Sequence, residues 1–132
     1  VTEETWIAYR GPQFVLEWAR DARGEMPGRE FFVGLDDSVA AKVLALFAAL
    51  GTQGRISNRQ KFKCLGESGE NLWEFKPTSQ VRILGDFRPG RRFLLACGVV
   101  KKQSDLRSED IQKAKRILGE HDARERKAHD GK

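Results

Sequence analysis

Apolar and polar residues fall into short blocks along this chain, and the spacing inside each block predicts an element. Phe14 to Ala19 (Phe-Val-Leu-Glu-Trp-Ala) is apolar and aromatic and ends at Arg20-Asp21, the pattern of a first strand. The residues before it are expected to form an irregular extension. Gly24, Pro27 and Gly28 punctuate the chain, a short helix is expected over Arg29 to Leu35, and Asp36-Asp37-Ser38 supply N-cap residues for the next element. Val39, Val43, Leu46, Phe47 and Leu50 then lie on one helical stripe. That stripe predicts a long core-packing helix, with Gly51 standing where a C-cap is wanted.

From Gly51 to Gly69 the chain is polar and basic around Cys64-Leu65, which predicts a loop with a short extended piece. Three strands are expected in quick succession at Leu72 to Lys76, Gln80 to Phe87 and Arg92 to Val100. Pro77 to Ser79 and Arg88-Pro89-Gly90-Arg91 are turns too short to join anything but antiparallel neighbours. Ser108-Glu109-Asp110 then opens a helix with an apolar stripe of Ile111, Ala114, Ile117 and Leu118. Beyond Gly119 a charged tail is expected to stay helical for a turn or two and then fray.

The expected fold is therefore α+β: an antiparallel sheet of an N-terminal strand plus a three-stranded meander, with two N-terminal helices and one C-terminal helix packed on one sheet face. Strand parity sends Val81, Ile83 and Phe87 to one side and Arg82, Leu84 and Asp86 to the other. Trp73 and Phe75 are expected in the core, while Glu74, Lys76, Arg82 and Asp86 share the opposite face. The third meander strand is apolar on both faces, as a central strand would be.

Length and composition narrow the class. At 132 residues with 39% hydrophobic and 33% charged positions, the chain fits one globular domain. Its longest apolar runs, Val43 to Leu50 and Phe93 to Val100, fall well short of the roughly 18 residues of a membrane span. Val1 to Arg10 carries Glu3 and Glu4 and lacks the basic-then-apolar order of a secretory signal, so a cytoplasmic location is expected. Cys64 and Cys97 have neither metal-like nor redox-like spacing and are expected to be reduced and buried.

Charge changes the picture most. The net charge is +5, but segment 55–116 holds fifteen basic and seven acidic residues, against five and eight in 1–54 and four and four in 117–132. A basic segment on short strands reads as a site for a polyanion, most simply nucleic acid, with a solubilising face as the alternative.

Several of these segments, in order, resemble a known family. They are Gly-Arg-Glu-Phe-Phe-Val-Gly-Leu (28–35), Leu-Ala-Leu-Phe-Ala-Ala-Leu-Gly (44–51), Lys63-Cys64-Leu65, Leu72-Trp73-Glu74-Phe75-Lys76, Val81-Arg82-Ile83-Leu84 and Gly98-Val99-Val100-Lys101-Lys102-Gln103, followed by Ile111 and Ala114. The set resembles the HigB-like branch of the RelE/ParE toxin superfamily, over about residues 14–118. The resemblance implies a small RelE-like domain at 14–118 between an N-terminal extension (1–13) and a charged C-terminal tail (119–132). It also implies a toxin of a type II toxin-antitoxin module, of the host-killing kind linked to phages. Such a toxin is a ribosome-dependent endoribonuclease that cuts messenger RNA and inhibits translation. The implied partners are the ribosome with its mRNA and a cognate antitoxin of helix-turn-helix type, with operator DNA reached only through the antitoxin complex and no membrane involved. The alternative on the same fold is a non-catalytic toxin, either a ParE-like inhibitor of DNA gyrase or an inactive antitoxin-binding relative.

Cleaving RNA through its own 2′-hydroxyl needs a base for that hydroxyl, cations for the charge on the phosphorane and an acid for the leaving 5′-oxygen, and needs no cofactor or metal. By the resemblance, Arg82 is the strand arginine suited to a bidentate phosphate clamp, and Lys101, Lys102 and Lys63 are acid-base or electrostatic groups. Arg55, Arg59, Lys61 and Lys76 would hold the RNA backbone. Each has a plainer reading beside it. Arg82 can pair with Glu74 or Asp86, Lys101-Lys102 can solvate a strand end, and Lys61 and Lys63 can be loop charges or antitoxin contacts. The histidines or tyrosine common near such active sites are missing here, since His121 and His129 lie in the tail and the single tyrosine is Tyr9. Trp6 and Tyr9 receive no assignment.

Overall fold

The computed structural model describes residues 5–66, 70–101 and 106–130. In chain order the elements are β1 (Ile7–Arg10), β2 (Val15–Trp18), α1 (Pro27–Val33), α2 (Asp37–Gln53), β3 (Phe62–Gly66), β4 (Glu70–Phe75), β5 (Val81–Arg88), β6 (Arg92–Val100) and α3 (Ser108–Asp130).

The sheet has six strands in the order β1-β2-β6-β5-β4-β3 and is mixed, which corrects the expected four-stranded antiparallel sheet of a small RelE-like domain. Two strands are additional. β1 forms within the expected irregular extension and pairs antiparallel with β2, and β3 forms the far edge beside β4. The N-terminal strand β2 runs parallel to β6, with Val15 opposite Arg92 and Trp18 opposite Leu95. Parallel pairing demands a crossover, and here the whole stretch from α1 to β5 provides it. The meander β4-β5-β6 is antiparallel, with Phe75 opposite Ile83 and Arg82 opposite Val99.

The helices occupy both faces of the sheet rather than one. On the first face Val43, Phe47 and Leu50 of α2 meet Leu16, Trp18, Phe62, Phe75, Ile83, Phe93 and Leu95. Trp73 joins this layer, stacked on Phe62 at 4.8 Å. On the second face Ile111, Ala114, Ile117 and Leu118 of α3 pack on Leu72, Leu84, Leu94, Ala96 and Cys97. The reason lies in β6, where Phe93 and Leu95 face one layer while Leu94 and Ala96 face the other, so both sides require cover.

Gly54, not Gly51, ends α2, taking the left-handed conformation (φ +83°) with its N–H on Leu50 O. Gly51 instead lets the helix approach the β1–β2 turn, because a Cβ there would lie 2.6 Å from the Tyr9 ring. Its carbonyl accepts the N–H groups of Gln13 and Phe14.

The tail does not fray after a turn or two. α3 runs on to Asp130. Its last apolar anchor is Leu118, and its second half is held by polar contacts instead. Arg88 bridges Asp86 and Asp122, Glu120 accepts Ala22 N–H, and Arg124 donates to the carbonyls of Asp21 and Ala22.

Candidate functional site

The basic residues converge where β3, β4, β5 and β6 present one end of the α3 face. Lys63 stands opposite Glu74 across β3–β4, and alternation places Lys76 and Arg82 on that same side. Lys61 adjoins them through its carbonyl, which accepts the Lys76 N–H at 2.8 Å. Lys101 continues β6 and donates its N–H to Gln80 O. Arg55 and Arg59 are exposed in the segment between α2 and β3. Lys102 lies outside the described residues.

Arg82 is not an open clamp in this arrangement. It is 1% exposed, its Nε lies 3.0 Å from Glu74 Oε2, and its Nη1 donates to the carbonyls of Thr78 and Ser79. Of the two partners open to it on its sheet face, Glu74 holds it, while Asp86 pairs with Arg88. Lys101 is nearly as enclosed, with Nζ 2.5 Å from Asp110 Oδ2 in the first turn of α3. The half-buried cations are Lys61, Lys63 and Lys76.

Glu74 is the acidic centre of this group, and sequence reasoning treated it only as a partner for Arg82. Burial pushes its carboxyl above the ordinary glutamate value, against the pull of Arg82, Lys63 and Lys76. The signal available in the sequence was its position as the sole acid in Leu72-Trp73-Glu74-Phe75-Lys76, on the parity of Arg82. Asp110 shows the opposite shift. Burial raises its pKa, but the hydrogen bonds from Lys101 and the Arg107 N–H and the charges of both residues outweigh that, leaving it below the ordinary aspartate value.

A second polar cluster sits on the same face toward β2. Arg92 donates to both carboxylate oxygens of Glu17 and also reaches Glu125. His121 Nδ1 accepts the Arg20 N–H at 2.9 Å, and Nε2 faces Glu125 Oε2 at 3.2 Å. Glu17, His121 and Glu125 are close enough to suggest a metal site. The hydrogen bonds argue otherwise. With Nδ1 accepting, the ring proton is on Nε2, so neither nitrogen has a lone pair to offer, and the Arg92 guanidinium already pairs with both carboxylates.

The two cysteines separate. Cys97 is buried, and burial pushes its thiol up to about 11, whereas Cys64 is exposed, which corrects the expectation that both are enclosed. No helix among the described residues is long and apolar enough to cross a membrane.

The family model described as phage derived protein Gp49-like (DUF891) matches residues 30–118. The chain belongs to the Gp49-like family. This family is generally associated with the toxins of toxin-antitoxin modules of the RelE/ParE kind, and membership suggests a toxin-like function for this Gp49-like chain. The matched span contains Lys63, Glu74, Lys76, Arg82 and Lys101, and it ends at Leu118, where the apolar half of α3 gives way to the polar half. No curated protein sequence matches the chain.

Proposed function

We propose that this Gp49-like chain is the toxin of a type II toxin-antitoxin module and acts as a ribosome-dependent endoribonuclease on messenger RNA, in the manner of the HigB-like branch. The observation that carries the reading is the row of cations at one sheet end, with Lys63 and Lys76 flanking the buried Glu74. Clustered cations of this kind bind the phosphates of a polyanion and stabilise charge on a phosphorane. Lys63 and Lys76 take the electrostatic role, and a lysine crowded by other cations can also shuttle the proton. Arg55, Arg59 and Lys61 follow the RNA backbone toward the site. Arg82 acts from beneath, holding Glu74 and the turn at Thr78-Ser79, so it is a positioning residue rather than a phosphate clamp. The cognate antitoxin, of helix-turn-helix type, silences the toxin, and operator DNA is met only in that complex.

The enclosure of Arg82 and Lys101 in ion pairs favours one second reading, a non-catalytic toxin that acts on a protein such as DNA gyrase. One experiment separates the two. Purified ribosomes translate a defined message with the protein added, and 5′ ends are mapped for the parent chain and for a Lys63→Ala/Lys76→Ala variant with an unchanged unfolding midpoint. The nuclease reading expects ribosome-dependent cuts that the variant loses. An intact message with translation proceeding would refute it.

A further inference from the structure

Trp6, left without a role by the sequence, lines a cleft of about 370 Å³ together with Glu17, Arg20, His121, Arg124 and Glu125. The cleft lies at the β1–β2 margin of the sheet, across α3 from Lys63 and Lys76. Its size falls within the range of small-molecule sites and accommodates a base with its sugar and phosphate.

Part of the wall is fixed and part is open. Glu17 has both oxygens on Arg92, and His121 is held from both nitrogens. Trp6, by contrast, is 37% exposed, an uncommon position for so large an aromatic. Arg20 donates through Nη1 to Gly24 O, which leaves Nε and Nη2 without a hydrogen-bond partner among the described residues. Arg124 uses Nε and Nη2 on the carbonyls of Asp21 and Ala22, leaving Nη1. Glu125 receives Arg92 and His121 on Oε2, so its Oε1 is left to accept.

What remains on offer is one aromatic face, guanidinium donors from two arginines and a single carboxylate oxygen. A simple cation would meet Arg20 and Arg124, a simple anion would meet Glu125, and a purely apolar ligand would leave the donors unsatisfied. A nucleotide answers all three features. Its base stacks on Trp6, an exocyclic amino group reaches Glu125 Oε1, and its phosphate takes the arginines. We propose that this cleft binds a nucleotide unit with an amino-bearing base, either free or within single-stranded RNA. The proposal stands apart from the nuclease reading, since it uses none of the cations at the other margin.

The test titrates the full chain with AMP, with UMP and with a short oligoadenylate, following indole fluorescence and the indole N–H resonances. Saturable change at Trp6 is expected, with UMP roughly tenfold weaker than AMP because it lacks the amino group. Trp6→Ala is expected to weaken binding roughly fivefold to a hundredfold while leaving the unfolding midpoint unchanged. Tighter binding of oligoadenylate than of AMP supports single-stranded RNA as the source, and equal binding supports the free nucleotide. Should Trp6→Ala fail to fold, the parent's Trp6 resonance, assigned with Trp6→Phe, carries the test. No shift of that resonance with any of the three ligands, or unchanged binding in a folded Trp6→Ala, would overturn the proposal.

Discussion

Replacing Arg82 with alanine should unfold this chain more readily than any change to its exposed cations. Glu74 is 2% exposed and Arg82 1%, so the substitution strands a buried carboxylate. Removing one partner of a buried ion pair costs about 3–5 kcal/mol, a large share of the 5–15 kcal/mol that holds a typical domain. The carbonyls of Thr78 and Ser79 lose their donor too, though water can reach the exposed Ser79 side of the turn. At this chain length the loss corresponds to a fall in Tm of roughly 10–20 °C. Replacing both partners, as Glu74→Leu/Arg82→Met, removes charge and counter-charge together and should cost far less than the sum of the single changes. Acidity gives a further check. Burial already lifts the Glu74 carboxyl and Arg82 opposes the lift, so without Arg82 the folded state takes up a proton more readily than the unfolded one. The penalty of Arg82→Ala should therefore be largest at neutral and alkaline pH and shrink as pH falls. Urea unfolding followed by circular dichroism on the two single variants and the double variant measures all of this. A penalty for Arg82→Ala below about 0.5 kcal/mol, or a double variant as unstable as the sum of the singles, would refute the reasoning. Loss of toxicity in Arg82→Ala therefore speaks to mechanism only when the variant is shown to be folded.

Other expectations follow from single positions. Asp110, held below its ordinary 3.8, contributes stability that is present above that value and lost as pH falls through its depressed folded value. Acid titration of stability should thus be flatter below pH 4 in Asp110→Asn than in the parent, and identical curves would contradict the Lys101 contact. Gly85→Ala would place a Cβ 2.1 Å from Leu94 O inside the sheet and should cost about 1–3 kcal/mol or more. Gly119→Ala meets nothing within 4 Å in mid-helix and should stabilise the chain by about 1 kcal/mol, so thermal melts of the pair should move in opposite directions. Finally, alkylation at pH 8 followed by mass spectrometry should label exposed Cys64 and spare Cys97, whose thiol is pushed up to about 11 by burial. Comparable labelling rates would contradict that burial.

Local periodicity carried the reading furthest where an element's neighbours are also its sequence neighbours. The stripe of Val43, Phe47 and Leu50 and the meander ending in β6 are of that kind. β3 was legible only as a short extended piece around Cys64-Leu65, because Lys61 and Lys63 look like loop charges, although Phe62 between them is the inward half of a strand alternation. The second half of α3 has no apolar stripe, and its partners Arg20, Ala22, Arg88 and Arg92 lie 33 or more residues away, beyond the reach of any local pattern. Parity put Arg82 on the correct face as a neighbour of Glu74, but its burial followed from α3 covering that face, when all the helices were expected on the other. The cations were singled out by charge density and by the family resemblance, and their convergence required the strand order.

The parallel pairing of β2 with β6 also sets an order in time. Val15 to Trp18 are synthesised more than seventy residues ahead of their partners Arg92 to Leu95. At about 5–20 residues per second, β2 waits several seconds on the ribosome with one of its two edges unpaired. A chain cut short before Leu95 holds the β1–β2 hairpin and the β3–β4–β5 strands without the strand that lies between them. Only a polypeptide that has passed β6 can seat the β1–β2 hairpin beside the strands that carry Lys63, Lys76 and Arg82, so a fragment ending earlier leaves the sheet in two parts.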